Sequence, residues 1–194
     1  MAGRPDSLRP EDVDDERAAE LLEAAADDWY GDSAFFGAMA WTPTIFERIV
    51  DVFRAFPRSE GIDAELLELM RLKIAEVNGC TYCATVRTLS VRDGIAPTEA
   101  AVFGTVDEDA LDRRTYLAVR LAERFAEDPH RLTEEQFEAL RTEYTAAEVV
   151  ELLLFAGLEV GLDRFCIALE LDTTAESEYP SGLDYPLEDE PRSE

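Results

Sequence analysis

Lysine is nearly missing: among the 18 basic residues of this 194-residue chain, Lys73 is the single lysine. Asp and Glu number 44, so the formal net charge is −26 although 46% of residues are hydrophobic. A coat this acidic repels phosphate backbones and anionic lipid, which argues against nucleic-acid partners and membrane surfaces. Long apolar runs are absent too, and no window approaches the roughly 18 apolar residues of a membrane span. The opening MAGRPDSLRPEDVDDE is polar and acidic, without the basic start and apolar stretch of a secretion signal. The expectation is a soluble cytoplasmic protein, and the length suits one domain with a substantial core.

Arginine keeps its charge and pairs with carboxylates in a planar fork, whereas lysine is a strongly hydrated point charge on a flexible stem. Acid richness with arginine in place of lysine is the proteome style of salt-loving archaea, whose cytosol screens self-repulsion. A higher melting temperature in molar KCl than in low salt is the expected result. Equal melting in both would remove the halophilic reading.

Strand-like alternation is hard to find, while apolar residues recur at helical spacing through the interior, so the fold class is all-α. Helices are expected over about 16–28, from the TPTIFERIVDVFRAF stretch where Thr42 and Pro43 suit a start, over DAELLELMRLKIAEV, from Cys80 to about Arg92, and over about 98–104, 108–126, 134–142 and 146–170. The fourth-listed helix follows a break at Asn78-Gly79, and the preceding one places Leu66, Leu69, Met70, Ile74 and Val77 on one face. Thr133 with Gln136 and Thr145 with Glu148 have the spacing of capping boxes. Residues 1–15 and 173–194 are Pro-, Ser- and acid-rich, which predicts flexible segments flanking a domain of 16–172.

Three cysteines are too few for a disulfide scaffold, and a C-x-x-C pair in a reducing cytosol points to redox or metal chemistry. Cys80 and Cys83 form that pair in NGCTYCAT. At the start of a helix, free N–H groups stabilise a thiolate by about 0.3–1 kcal/mol, less than one pKa unit. Arg87, spaced with Cys80 and Cys83 on one helical face, is expected to add positive charge. Either Glu68 or Glu76 of the preceding helix is placed to turn back toward the sulfurs. Trp29, Trp41, Phe35 and Phe36 read as core or subunit contact, and Tyr82 as packing.

The run GIDAELLELMRLKIAEVNGCTYCATVRTLSVRDGI resembles the core of the alkylhydroperoxidase D and carboxymuconolactone decarboxylase family. The resemblance continues through AERFAEDPHRLTEEQFEAL and EVVELLLFAGLEVGLDRFCIALEL, covering about residues 40–172. It implies an AhpD-like bundle of about six to eight helices, associated as a trimer or multiple of trimers. It further implies a peroxiredoxin-type oxidoreductase that reduces a hydroperoxide through a dithiol/disulfide cycle, with a thiol reductant and no cofactor. Carried over by position, the catalytic residues are Glu68, Cys80 and Cys83, with Cys83 attacking and Cys80 resolving. The family's histidine position is Arg87, which cannot exchange protons near neutrality but is expected to complete the catalytic set by pairing with Glu68 and stabilising thiolate.

Two alternatives stand beside this. One is a decarboxylase-like lyase acting on a small lactone acid. The other is a redox or zinc-stabilised helical module, for which Cys80, Cys83, Cys166 and His130 make a Cys₃His set. His130 and Cys166 lack the close spacing of a second ligand pair, so Cys166 reads as core and His130 as a solvated loop residue.

Overall fold

The computed structural model describes residues 3–179, and among them there are nine α-helices and no strand. They are α1 (Glu16–Ala24), α2 (Ala34–Met39), α3 (Pro43–Phe53), α4 (Ala64–Asn78), α5 (Thr81–Thr85), α6 (Arg92–Ile95), α7 (Arg113–Glu127), α8 (Glu134–Glu143) and α9 (Ala146–Leu169). Most boundaries follow from side chains that satisfy the first free N–H groups. Asp15, Asp63 and Asp112 cap α1, α4 and α7, and both expected capping boxes form at the starts of α8 and α9.

Five expectations change. The single helix from Cys80 to about Arg92 is two short ones, because the chain turns extended at Val86 (φ −75°, ψ 152°) and helix resumes only at Arg92. The stretch near 98–104 keeps one 3₁₀ turn, Glu99–Ala101, and the helix expected from 108 starts at Arg113 behind its Asp112 cap. α2 was not anticipated: all six of its residues are buried, so no polar face gives it a helical period. α4 likewise lacks a single apolar face, since every residue from Leu66 to Glu76 is buried.

α4 is therefore the central helix. Leu66, Met70 and Ile74 pack with α7 and α9, around Leu121, Leu152 and Ala156. Leu69 and Leu72 face Ile95, Val102 and Val119 on another side. A third cluster joins α1, α2 and α3 to the cysteines, with Leu22, Phe36, Phe46 and Val50 beside Cys80, Cys83 and Cys166. Burying a side chain the size of Phe46 contributes about 1.5–3 kcal/mol, so each cluster matters to the whole.

The terminal segments make specific contacts. Ser7 donates to the Ala34 carbonyl, the Leu8 amide donates to the Gly37 carbonyl, and Arg4 pairs with Glu170. Gly37 permits that approach, because a Cβ there would collide with the Leu8 carbonyl oxygen and Ser7 Oγ. At the other end Thr174 donates to Asp32 through both its amide and its hydroxyl. The expected tail from 180 to 194 lies outside the described residues. Among the described residues no helix is long and apolar enough to cross a membrane.

Candidate active site

The turn that presents the cysteines is built from the end of α4. Gly79 takes a left-handed conformation (φ 70°), which suits glycine, and the Cys80 amide then donates back to the Ala75 carbonyl. This is the break expected at Asn78-Gly79. Cys80 becomes the cap of α5, its sulfur accepting the Cys83 amide at 3.3 Å, and the two sulfurs are joined as a disulfide. Tyr82, between them, is buried and donates to Asp32 Oδ1 at 2.8 Å, tying α5 to the turn before α2. Packing was its expected role, and a hydrogen bond accompanies it.

The cation of the site is Arg71, not Arg87. Arg71 lies one turn after Glu68 on α4 and grips it with two hydrogen bonds, Nε to Oε2 at 2.9 Å and Nη2 to Oε1 at 2.6 Å. The same guanidinium donates to the carbonyls of Cys83 and Val86, so it holds the peptide units that leave the dithiol. Glu68 is completed by Thr88, whose amide and hydroxyl donate to its two oxygens at 3.0 and 2.9 Å. Burial alone would raise the Glu68 carboxyl, but the Arg71 charge and these hydrogen bonds bring it below the usual range.

Arg87 is directed elsewhere. α5 stops at Thr85, so the three-and-four spacing does not place Arg87 on one helical face with Cys80 and Cys83. Its Nε pairs with Glu99 at 2.8 Å, and its Nη1 donates to the carbonyls of Ala84, Thr85 and Val86. Arg87 thus caps the end of α5, and the anticipated pairing with Glu68 is taken by Arg71. Glu76, the other carboxylate placed to turn back, instead pairs with Lys73 and accepts the Gly104 amide.

The suggested Cys₃His set does not assemble. The sulfurs of Cys80, Cys83 and Cys166 lie within 4.8 Å of one another, whereas His130 sits in the exposed turn Pro129–Arg131 and is not part of the group. Cys166 is in the core as expected, and it is also against the dithiol. Burial, with Asp163 and Glu159 adding to it, pushes its thiol well above the ordinary range, so it stays protonated.

An apolar cavity of about 240 Å³ opens beside this cluster. Trp29, Phe53, Phe56, Leu67 and Phe155 form its walls, and Arg54, Glu68, Arg71, Thr88 and Glu159 supply its polar groups. A smaller void of about 20 Å³, room for a single water molecule, adjoins it and reaches Cys83. Tyr30, Phe53, Arg71 and Glu159 border both spaces. Glu159 is 5% exposed, and burial raises its carboxyl to about 8 against the pull of Arg71, with Asp163 and Glu68 adding to the rise. Asp163, which accepts from Asn78 at 2.9 Å, is raised by burial to about 6.

Arg71, Glu159 and Asp163 were not singled out from the sequence. For Arg71 the available signal was α4 itself: a helix with apolar residues on every side must pair its charged residues internally.

No model of a protein family matches the sequence. No curated protein matches it either. Solved structures do match in fold. An uncharacterised peroxidase-related protein from Ralstonia eutropha JMP134, described as an alkylhydroperoxidase AhpD core, superposes with a TM-score of 0.71 at 16% identity, covering 89% of this chain and 93% of that one. A peroxidase-related protein from Silicibacter sp. TM1040 gives 0.70 at 16% identity, over 91% of this chain and 96% of that one. A variant of the debrominase Bmp8 in complex with 2,3,4-tribromopyrrole gives 0.72 at 16% identity, over 91% and 94%. Identity this low speaks to architecture alone, and the architecture is unambiguous: this chain has the AhpD-like all-helical fold.

Proposed function

We propose that the protein is a thiol-dependent oxidoreductase that reduces hydroperoxides through the Cys80–Cys83 pair. The observation that carries this reading is a disulfide-forming C-x-x-C whose Cys83 borders a water-sized void adjoining an apolar cavity, on an AhpD-like fold. Cys83 borders the water-sized void and Cys80 borders neither space, which supports Cys83 as the attacking thiol and Cys80 as the resolving one. The Cys83 amide aimed at Cys80 Sγ favours negative charge on the resolving sulfur. Arg71, pinned by Glu68, is a positioning residue that fixes the backbone on which Cys83 is carried. Aromatic walls suit an apolar organic hydroperoxide better than a charged one.

Mass spectrometry of the thiols before and after mild peroxide tests the reading. A Cys80–Cys83 disulfide that a thiol donor reverses is expected, and Cys83→Ser and Cys80→Ser should each lose turnover by at least about 100-fold. Full turnover in both variants would defeat it.

A second reading is favoured by the debrominase complex: the same dithiol and aromatic cavity suit reductive removal of halogen from a small ring. Bromide release from a bromopyrrole that depends on Cys83, with no turnover of hydroperoxides, would select it. Association as a trimer or multiple of trimers remains part of the proposal, with Trp41, Ile45, Val52, Val150, Leu154 and Ile167 as exposed apolar residues available for contact.

A further inference from the structure

The family's histidine is an arginine here, and that arginine is committed to Glu99 and the end of α5. The site therefore needs another group to move protons. We propose that Glu159 is the proton-transfer residue, acting on the oxygen that occupies the void it shares with Cys83. The inference rests on the hydroperoxide reading above.

Three observations single it out. Glu159 is 95% buried, yet among the described residues no hydrogen bond or ion pair engages its carboxylate, an expensive arrangement unless a ligand completes it. It borders both the apolar cavity and the water-sized void, as does Arg71, while Cys83 borders the void. A hydroperoxide with its organic part in the larger space thus has its O–O bond beside both the Cys83 sulfur and the Glu159 carboxyl. Glu68 is unsuited to the task, because Arg71 and Thr88 already occupy both of its oxygens. The carboxyl pushed up to about 8 holds both protonation states in appreciable amounts near neutrality, as a shuttle requires.

The step balances with Glu159 unchanged at the end. Its carboxylate takes the proton of the Cys83 thiol, and the thiolate attacks the terminal oxygen of ROOH. An S–O bond forms while the O–O bond breaks with its electron pair on the alkoxide, which Glu159 protonates to ROH. The Cys80 thiol then displaces hydroxide from the Cys83 sulfenic acid, and its proton leaves with that hydroxide as water. Two thiols become one disulfide, and one hydroperoxide becomes alcohol and water.

The charged and titratable groups facing Glu159 or lining the spaces it borders are Arg71 and Glu68 of α4, Tyr82 and Cys83 of α5, Asp163 and Cys166 of α9, Tyr30, and Arg54 just after α3. The test compares the reduced wild type with Glu159→Gln, reacting each with cumene hydroperoxide in stopped flow from pH 6 to 9. Glu159→Gln should react about 100-fold more slowly at pH 7 and lose the wild-type titration limb near 8. It should still form the Cys80–Cys83 disulfide completely when treated with the thiol oxidant diamide. Rates within threefold of wild type, or an unchanged pH profile, overturn the role of Glu159 alone. A limb abolished by Asp163→Asn but not by Glu159→Gln reassigns it and overturns the proposal equally. A wild type inert to peroxide yet able to form the disulfide removes the hydroperoxide reading and this inference together. Should Glu159→Gln not fold, Glu159→Met takes its place, and a rate at pH 7 within threefold of wild type is the overturning result.

Discussion

Replacing Arg71 with methionine is expected to destabilise the oxidised protein by about 3–5 kcal/mol, among the largest effects available to a single substitution. The guanidinium is 4% exposed and serves four acceptors: both oxygens of Glu68 and the carbonyls of Cys83 and Val86. It also lies over the Tyr30 ring at 5.7 Å, a further contact worth about 0.5–2 kcal/mol when desolvated. Methionine fills much of the same volume but returns none of these bonds. The Glu68 carboxylate would stay buried with only Thr88 for a partner, and the Glu159 carboxyl would lose the positive charge of Arg71. Equilibrium urea unfolding measures the loss, and Arg71→Met with Glu68→Gln should recover a substantial part of it. A cost below about 1 kcal/mol would mean that Arg71 is not what holds the loop after Cys83.

This substitution marks where sequence reading stopped. The helical class, the interruption at Asn78-Gly79, the capping boxes and the C-x-x-C pair were legible because each is a local pattern with a local cause. Glu68 was placed through the family resemblance, and the structure brings it to the loop beyond the dithiol. Arg87 was misplaced because the spacing argument assumed an uninterrupted helix from Cys80. Val86 turns extended, and Arg71, distant in sequence, takes the Cys83 and Val86 carbonyls there. α2 was missed for the complementary reason: a short helix buried on all sides shows neither amphipathic period nor polar boundary. Glu159 and Asp163 lie on α9, where acidic residues in an acidic chain look like solvated surface. Their neighbours across the fold, Arg71 on α4 and Cys83 on α5, place them at the site.

Lys73→Met is expected to cost a comparable 3–5 kcal/mol, and the reason explains why one lysine persists in a chain that otherwise uses arginine. Lys73 is 2% exposed, and its ammonium has three donors that meet three acceptors: Glu76 Oε2 at 2.8 Å, Glu123 Oε1 at 3.1 Å and the Gly104 carbonyl at 2.6 Å. Glu76 in turn accepts the Gly104 amide and Glu123 pairs with Arg120, so the ammonium joins α4, α7 and the turn at Gly104. Without it two carboxylates face each other in the interior, which leaves a buried charge uncompensated. Arginine would keep the charge but bring five donors in a planar fork to a site with three acceptors. Lys73→Arg is therefore expected to destabilise by about 1–3 kcal/mol through overpacking and unpaired donors, despite conserving charge. A double-mutant cycle with Glu76→Gln isolates the pair, and a coupling of at least about 1 kcal/mol is the expected value. If Lys73→Arg unfolds at the wild-type urea midpoint, the geometry of the ammonium is not what retains this lysine.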